Sequence, residues 1–179
     1  MTEFAHESGT DVWAYCLMPN HVHLVMVPDN EDGLRSALGE AHRRYTRHIN
    51  FREGWRGHLW QERFHSFPMD EEYLRATVRY VELNPVKARL CRRPQDWRWS
   101  SAAAHIAGVD DWLMKVSPML ERIDNWMLYL SNEDTSNDDL VALHTRTGRQ
   151  LCSENFVKQL ENICGVALAR RKPGRKVKA

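Results

Sequence analysis

The sequence lacks the features that would place it in a membrane or outside the cell. No apolar run reaches the roughly 18 residues of a membrane-spanning helix, and the first ten residues do not have the basic and then apolar order of a signal peptide. The four cysteines stand far apart with no C-x-x-C pair, so neither a zinc knuckle nor a disulfide scaffold is indicated. A chain of 179 residues is long enough for one domain with an extension. We therefore predict a reduced, cytoplasmic protein without membrane contact.

Basic residues are absent from the start of the chain, and charge is strongly segregated along the rest of it. Residues 1–34 carry 0 basic and 6 acidic side chains, and residues 35–98 carry 14 and 8. Residues 99–140 carry 2 and 8, and residues 141–179 carry 9 and 2, which leaves a net charge of +1. A polyanion responds to the local field, so two basic blocks indicate a nucleic-acid partner. Solvated helix faces would explain either block alone.

The first half of the chain predicts a hairpin and a helix. Residues 12–18 and 21–27 are rich in β-forming residues and are separated by Pro19 and Asn20, a pair that favours a turn. A helix is predicted from near Asp32, because apolar residues there recur three and four positions apart. This apolar stripe consists of Leu34, Ala37, Leu38, Ala41, Tyr45 and Ile49, and most of the basic side chains lie off it.

Further elements follow towards the middle of the chain. The aromatic stretch 58–69 predicts another strand, which Pro68 ends. A second helix is predicted to begin at residue 70, with acidic residues in its first turn, and to end at Asn84 because Pro85 disfavours helical geometry there. Residues 92–108 predict a turn and a short helix.

The last third has a different composition. Residues 131–139 are the predicted linker, followed by short helices over 137–144 and over 153–164, the latter capped by Ser153. The last ten residues are expected to be disordered when free.

Two histidines interrupt the second strand of the predicted hairpin. Residues two apart on a strand project to the same face, so His21 and His23 point together while Val22 and Leu24 are expected to face the core. Two neutral imidazoles at this spacing can hold a divalent cation and leave positions open for substrate. Two half-buried histidines with hydrogen-bond partners would fit the same spacing.

A tyrosine and an asparagine in the second helix could complete such a site. Tyr80 and Asn84 are four residues apart and share one helical face. A tyrosine hydroxyl is a poor nucleophile at its usual pKa of about 10, and a metal that draws charge off a phosphate compensates for this. A packing role before the Asn-Pro pair is the alternative.

Five stretches resemble, in order, the REP-associated tyrosine transposases, a branch of the single-tyrosine HUH transposases and nucleases of bacteria. They read AYCLMPNHVHLVM, GHLWQERFHS, RYVELNPVKARL, DWRWSSAAAH and HTRTGRQLCSENFVKQLE. The resemblance implies an α+β fold, with a ferredoxin-like or RRM-like antiparallel sheet and helices on one face of it. It also implies a transposase domain over residues 1–130 and a helical, basic DNA-binding extension over residues 131–179.

The same resemblance implies a site and an activity. His21 and His23 are then the histidines of the HUH motif, Tyr80 is the nucleophile and Asn84 completes the metal site. The implied enzyme cleaves and rejoins single-stranded DNA that contains hairpins, with Mg²⁺ or Mn²⁺ at the scissile phosphate. Attack by Tyr80 leaves a 5′-phosphotyrosine and a free 3′-OH, and another 3′-OH can rejoin the strands without ATP.

Both basic blocks are expected to bind DNA. The protein is expected to act as a monomer or a dimer. The first block supplies contacts to hairpin phosphates and side chains close in sequence to the site. The second forms an extended basic arm or a solubilising tail. The assigned residues are Arg43, Arg44, Arg47, Arg63 and Lys87 in the first block, and Arg170, Arg171, Lys172, Arg175 and Lys176 in the second. Four aromatic residues would either stack on unpaired bases or pack at the core: Trp60, Phe64, Trp97 and Trp99.

The resemblance departs at the N-terminus. Family members usually have a strand and a helix before this hairpin, and only 20 residues precede His21. We expect a sheet that lacks its first β-α unit, with an exposed edge and an uncovered face. A start site placed too late, a decayed gene copy or a partner that supplies the missing unit would each account for this. Two other functions stay open: a hairpin-binding remnant that cannot cut, and a protein that holds zinc structurally through His21 and His23.

Overall fold

The computed structural model describes residues 1–132, 141–142, 152–166 and 168. Its elements combine one antiparallel hairpin with helices, which confirms the predicted α+β class. In chain order they are α1 (Thr2–Glu7), β1 (Thr10–Leu17), β2 (Val22–Pro28), α2 (Gly33–Glu53), α3 (Glu71–Lys87), a 3₁₀ turn (Pro94–Asp96), α4 (Ala102–Ala107), α5 (Ser117–Leu120), α6 (Trp126–Ser131) and α7 (Glu154–Cys164). Within the described residues, no helix is long and apolar enough to span a membrane.

The hairpin has the predicted turn and one irregularity. Cys16 lies opposite His23 and Ala14 opposite Val25, and the register shifts between Val12 and Ala14. The extra residue, Trp13, is a bulge, and a bulge reverses the face to which the neighbouring residues point. Val12 and Ala14, which would share a face in a regular strand, therefore belong to different apolar clusters.

Both faces of the hairpin are covered. The face with Ala14 and Val25 packs on an apolar stripe of α3 and on residues of α4 and α6. The opposite face, with Val12, packs on α1 and on residues 113–116. The face that the sequence predicts to be uncovered is therefore covered at its Val12 end by α1 and by that segment. The helix residues of the first cluster include Leu74, Val78, Val81, Ala102, Trp126 and Leu130.

The aromatic stretch after α2 does not form the predicted strand, since residues 58–68 contain no strand. The Trp60 ring instead stacks on His42 of α2, with ring centroids 4.2 Å apart, and its indole N–H donates to the His42 carbonyl oxygen at 3.4 Å. Phe64 meets the same imidazole edge-on. Because α2 offers these rings a partner, the stretch lies along the helix instead of pairing with the sheet.

The predicted end of α3 at Asn84 is also wrong, because the helix continues to Lys87 with Pro85 inside it. Pro85 is fully buried. Backbone N–H groups beyond it still find carbonyl partners, among them Ala88 N–H to Asn84 at 2.9 Å and Leu90 N–H to Pro85 at 2.8 Å. Burial and these bonds outweigh the hydrogen bond that proline cannot donate. The extra turn places Lys87 on the same helical face as Tyr80.

Helix α7 begins where the sequence predicts, capped by the Ser153 hydroxyl, which accepts from the Phe156 N–H at 3.4 Å. Its start is attached to the start of α3. Asp70 caps α3 by accepting from the Tyr73 N–H at 3.2 Å, and its other carboxylate oxygen accepts from the Ser153 N–H at 2.8 Å. Most of the predicted linker and of the helix over 137–144 lies outside the described residues. The boundary between residues 1–130 and 131–179 stays a prediction.

Candidate active site

The hairpin turn brings the two histidines together. His21 closes the turn, and its carbonyl oxygen accepts from the Met18 N–H at 2.9 Å. His23 is the second residue of β2. Their Nε2 atoms are 3.1 Å apart, and their rings are nearly perpendicular, with centroids separated by 4.8 Å. The two imidazoles therefore present nitrogen atoms to one point.

Neighbouring groups set the protonation of both imidazoles. His21 Nδ1 lies 2.6 Å from the Asn20 side-chain oxygen, an acceptor, so Nδ1 carries the proton and Nε2 keeps a lone pair. Burial lowers the pKa of His21. Burial, and then the nearby His21, lower the pKa of His23 to about 4. Both rings are therefore neutral at pH 7, which is the form that binds metal ions.

One face of α3 completes the cluster. The Asn84 amide lies against His23, with Nδ2 and Nε2 3.2 Å apart. Tyr80, one turn earlier, meets the His23 ring edge-on at a centroid distance of 5.7 Å. The Lys87 ammonium lies 5.0 Å from the centre of the Tyr80 ring. A phenol, an amide and a cation thus stand beside the two imidazoles.

The contacts around the imidazoles fit a divalent cation. His21 Nε2 lies 3.1 Å from His23 Nε2, which in turn lies 3.2 Å from the Asn84 amide, so three groups that can bind a metal converge. A cation there would replace the contact between the imidazoles, and an amide turned over would add the Asn84 oxygen as a third donor. Oxygen donors suit Mg²⁺ and Mn²⁺, whereas two imidazoles favour a transition metal, so Mn²⁺ fits the mixed set well.

A structural zinc site has less support in the part of the chain that the structure describes. No group of three His, Cys, Asp or Glu side chains is arranged there to hold a metal. Structural zinc normally has four such ligands in a closed tetrahedron. Two histidines and an amide leave positions open, which is the property of a site that binds substrate.

A buried carboxylate that the sequence analysis missed holds α3 in place. Glu82 is 0% exposed and accepts from the Ser101 hydroxyl at 2.5 Å and from the Trp126 indole N–H at 2.8 Å. Its Oε1 is also 2.6 Å from Nδ1 of His105, whose ring stacks on Trp126. Since these partners belong to α4, to the residue before it and to α6, one side chain ties two helices to α3.

The same network reaches the hairpin. The Ser101 hydroxyl oxygen accepts from the Tyr15 N–H of β1 at 3.1 Å, and the Ser101 N–H donates to the Tyr15 carbonyl at 3.0 Å. Glu82 therefore helps to fix the position of α3 relative to the hairpin. A signal for it exists in the sequence, because Glu82 falls four residues after Val78 in the apolar stripe of α3.

The predicted DNA-binding arginines of α2 are partly engaged within the protein. Arg43 makes two hydrogen bonds to Glu40, both at 2.7 Å, and Arg44 makes one at 2.9 Å. These hydrogen bonds from Arg43 and Arg44 lower the pKa of Glu40 to about 2. Arg47 and Arg63 are exposed. The tail residues Arg170, Arg171, Lys172, Arg175 and Lys176 lie outside the described residues.

Three of the four aromatic residues considered for base stacking pack within the protein. Trp60 and Phe64 pack on His42, and the half-buried Trp97 packs against the core and donates its indole N–H to the Leu17 carbonyl at 3.1 Å. Trp99 is more exposed, and the Arg98 guanidinium lies 4.3 Å from its ring centre.

Comparison with known proteins gives two matches. Residues 1–84, which include both histidines, Tyr80 and Asn84, match the family model described as IS200-like transposase. A curated protein of Haemophilus influenzae, provisionally named a REP-associated tyrosine transposase, is 28% identical over 99 residues, which cover 49% of this chain and 56% of that protein. The match thus spans little more than half the length of this relative. No solved structure matches the chain.

Proposed function

We propose that this chain is a member of the IS200-like transposase family, whose model matches residues 1–84, and that it cleaves and rejoins single-stranded, hairpin-containing DNA through a tyrosine-DNA intermediate. One observation carries the proposal. His21 and His23 of the hairpin meet Tyr80 and Asn84 of α3, although about 60 residues of sequence separate the two segments. Packing alone does not require a polar cluster of this composition.

The proposed reaction assigns a role to each side chain. The Tyr80 oxygen attacks the scissile phosphorus, the bond from phosphorus to the 3′ oxygen breaks, and the phenolic proton is lost to solvent while the 3′ oxygen gains one. The Lys87 ammonium beside the ring favours the developing phenolate. His21, His23 and Asn84 would hold Mg²⁺ or Mn²⁺, which supplies Lewis-acid stabilisation of charge on the phosphate. Attack by a second 3′-OH reverses these steps and returns the proton to Tyr80.

DNA phosphates are proposed to bind mainly where basic side chains are exposed or close to the site. Arg47 and Arg63 are exposed, and Lys87 lies beside Tyr80. Arg43 and Arg44 would contribute less while Glu40 binds both. The basic tail would add sequence-independent affinity that falls with salt.

Trapping of a covalent protein-DNA adduct tests the proposal. A labelled hairpin oligonucleotide is incubated with the wild-type chain, with Tyr80→Phe and with Tyr73→Phe, a control on the same helix, each with Mn²⁺, Mg²⁺ or chelator. We expect a denaturant-stable adduct from the wild type and the control only, and only with metal. An adduct from Tyr80→Phe would refute the assignment of Tyr80 as the nucleophile, and an adduct formed in chelator would refute the need for a metal. Hairpin binding with no adduct from the wild type would favour the binding remnant.

A further inference from the structure

A groove of about 590 Å³ lies between the turn end of the hairpin and α2, on the side of the sheet away from α3. This volume is within the usual range of small-ligand sites. Val22 forms part of its floor and is 38% exposed, which corrects the expectation that Val22 faces the core.

The walls of the groove carry large aromatic rings that remain accessible. Tyr45 of α2 is 51% exposed, and Trp55 and Trp112 are each 58% exposed. Trp60 also lines the groove, and its ring is held in place by stacking on His42. The centroids of the Trp60 and Tyr45 rings are 5.7 Å apart. Large apolar side chains grouped at an accessible concave surface mark a binding site more often than they mark incomplete packing.

The groove is continuous with the candidate active site. Asn20 and His21 line its end, and His21 is also the residue whose Nε2 faces His23. A strand with a phosphate at His21 therefore has its next nucleotides within reach of the groove. This step depends on the proposed function, because it takes the cleaved phosphate to lie at His21.

The charge of the groove favours flat, neutral groups over phosphates. Among its described lining residues the charged side chains are Arg52 and Glu53, and these two pair with each other at 2.5 Å. Burial lowers the pKa of His42, which keeps this imidazole neutral near pH 7. A nucleobase has a neutral π face that stacks on aromatic rings, while its phosphates stay in solvent.

We propose that this groove binds unpaired nucleobases of the DNA strand next to the cleaved phosphate, by stacking on Tyr45, Trp55 and Trp112. Every base has a π face, so this binding tolerates sequence differences. The groove orients the strand over His21, and the site on α3 carries out the chemistry.

Fluorescence anisotropy with two probes tests the groove. One probe is a labelled oligothymidine, and the other is a strand of the same length in which every base is replaced by an abasic sugar, so the phosphates are equal. We expect Trp55→Ala and Tyr45→Ala each to weaken binding of oligothymidine by about 5- to 100-fold, as for the loss of one stacking partner. Binding of the abasic strand should not change. Trp55→Phe, which keeps a ring, should recover part of the loss.

Phe51→Ala is the matched control, since Phe51 is on α2 like Tyr45 but is 91% exposed and does not line the groove. Equal wild-type affinity for the two probes would overturn the proposal, as would a loss in Phe51→Ala as large as that in Tyr45→Ala. An oligomer that dissociates on Trp55→Ala, without any dependence on bases, would mean that a second copy of the chain occupies the groove.

The two proposals fail separately. If the wild type forms the adduct but binds oligothymidine and the abasic strand equally well, base binding in the groove is overturned and the proposed function is supported. Base-dependent binding that Trp55→Ala abolishes, in a protein that forms no adduct, would support the groove as a DNA-binding site and overturn the cleavage activity.

Discussion

Replacement of Glu82 by alanine should destabilise the protein strongly. The substitution removes an acceptor shared by Ser101, His105 and Trp126, all of which are buried. Hydrogen bonds to a charged group contribute about 1.5–3 kcal/mol each, but bonds within one network do not add. A buried donor left without an acceptor costs about 1–3 kcal/mol, so the three donors that share this acceptor should cost about 3–5 kcal/mol together. We expect a loss in that range, out of a total stability of about 5–15 kcal/mol for a natural domain.

Urea unfolding followed by circular dichroism measures this loss. The midpoint should fall while the slope with urea stays constant, since the surface exposed on unfolding is nearly unchanged. Glu82→Gln has the same shape but can accept through one oxygen only, so its loss should be smaller than that of Glu82→Ala. Glu72→Ala removes an exposed carboxylate from the same helix and should change stability by no more than about 0.5 kcal/mol.

A loss of less than about 1 kcal/mol in Glu82→Ala would refute the assignment of Glu82 as the anchor of α3. A double-mutant cycle with His105→Ala adds a second check. If the two residues act in one network, the double variant should be clearly more stable than the sum of the single losses predicts.

Two further predictions concern charge. The folded-state pKa of His23 is lowered from 6.5 to about 4, so the unfolded chain binds this proton at a higher pH than the folded chain does. The metal-free protein should therefore lose roughly 3 kcal/mol of stability through His23 as the pH falls from 7.5 to 4. Above pH 7.5, His23 should cause no change in stability. Urea unfolding at these pH values should show a smaller loss in His23→Gln, and equal losses in the two proteins would contradict the lowered pKa. Glu40→Gln should free Arg43 and leave Arg44 paired with Glu3 alone. The variant should bind DNA more tightly, and log K should fall more steeply with log salt, by about 0.7 for each new contact to a single strand. Glu121→Gln changes the net charge equally at another exposed site, and the same tightening there would show a general charge effect.

The local spacing in the sequence predicts which side chains can act together, but not which elements meet. The strand period places His21 beside His23, and the helix period places Tyr80 above Asn84. The contact between the two pairs requires β2 to pack on α3, which no spacing within either segment predicts. Here the family resemblance supplied the expectation, and the structure shows the 3.2 Å approach of Asn84 to His23.

The wrong predictions have a common physical cause, which is tertiary packing that local preference does not include. Pro85 stays within a helix because its ring is buried. Trp60 follows α2 because His42 offers a stacking surface. Val22 borders a groove because α1 and residues 113–116 cover its face of the hairpin only in part, and strand alternation alone cannot predict how far a face is covered. Each case depends on a partner that is distant in sequence.

The capping of α3 by Asp70 restricts the residues that this position tolerates. At most helix N-termini Ser, Thr, Asn and Asp replace one another with little loss, since one acceptor atom is enough. Asp70 uses both of its oxygens, one for the first turn of α3 and one for the Ser153 N–H at the start of α7. Asparagine has a single acceptor oxygen and could serve only one of these helices. We therefore expect Asp, and not another capping residue, at position 70 wherever a C-terminal helix starts at this point.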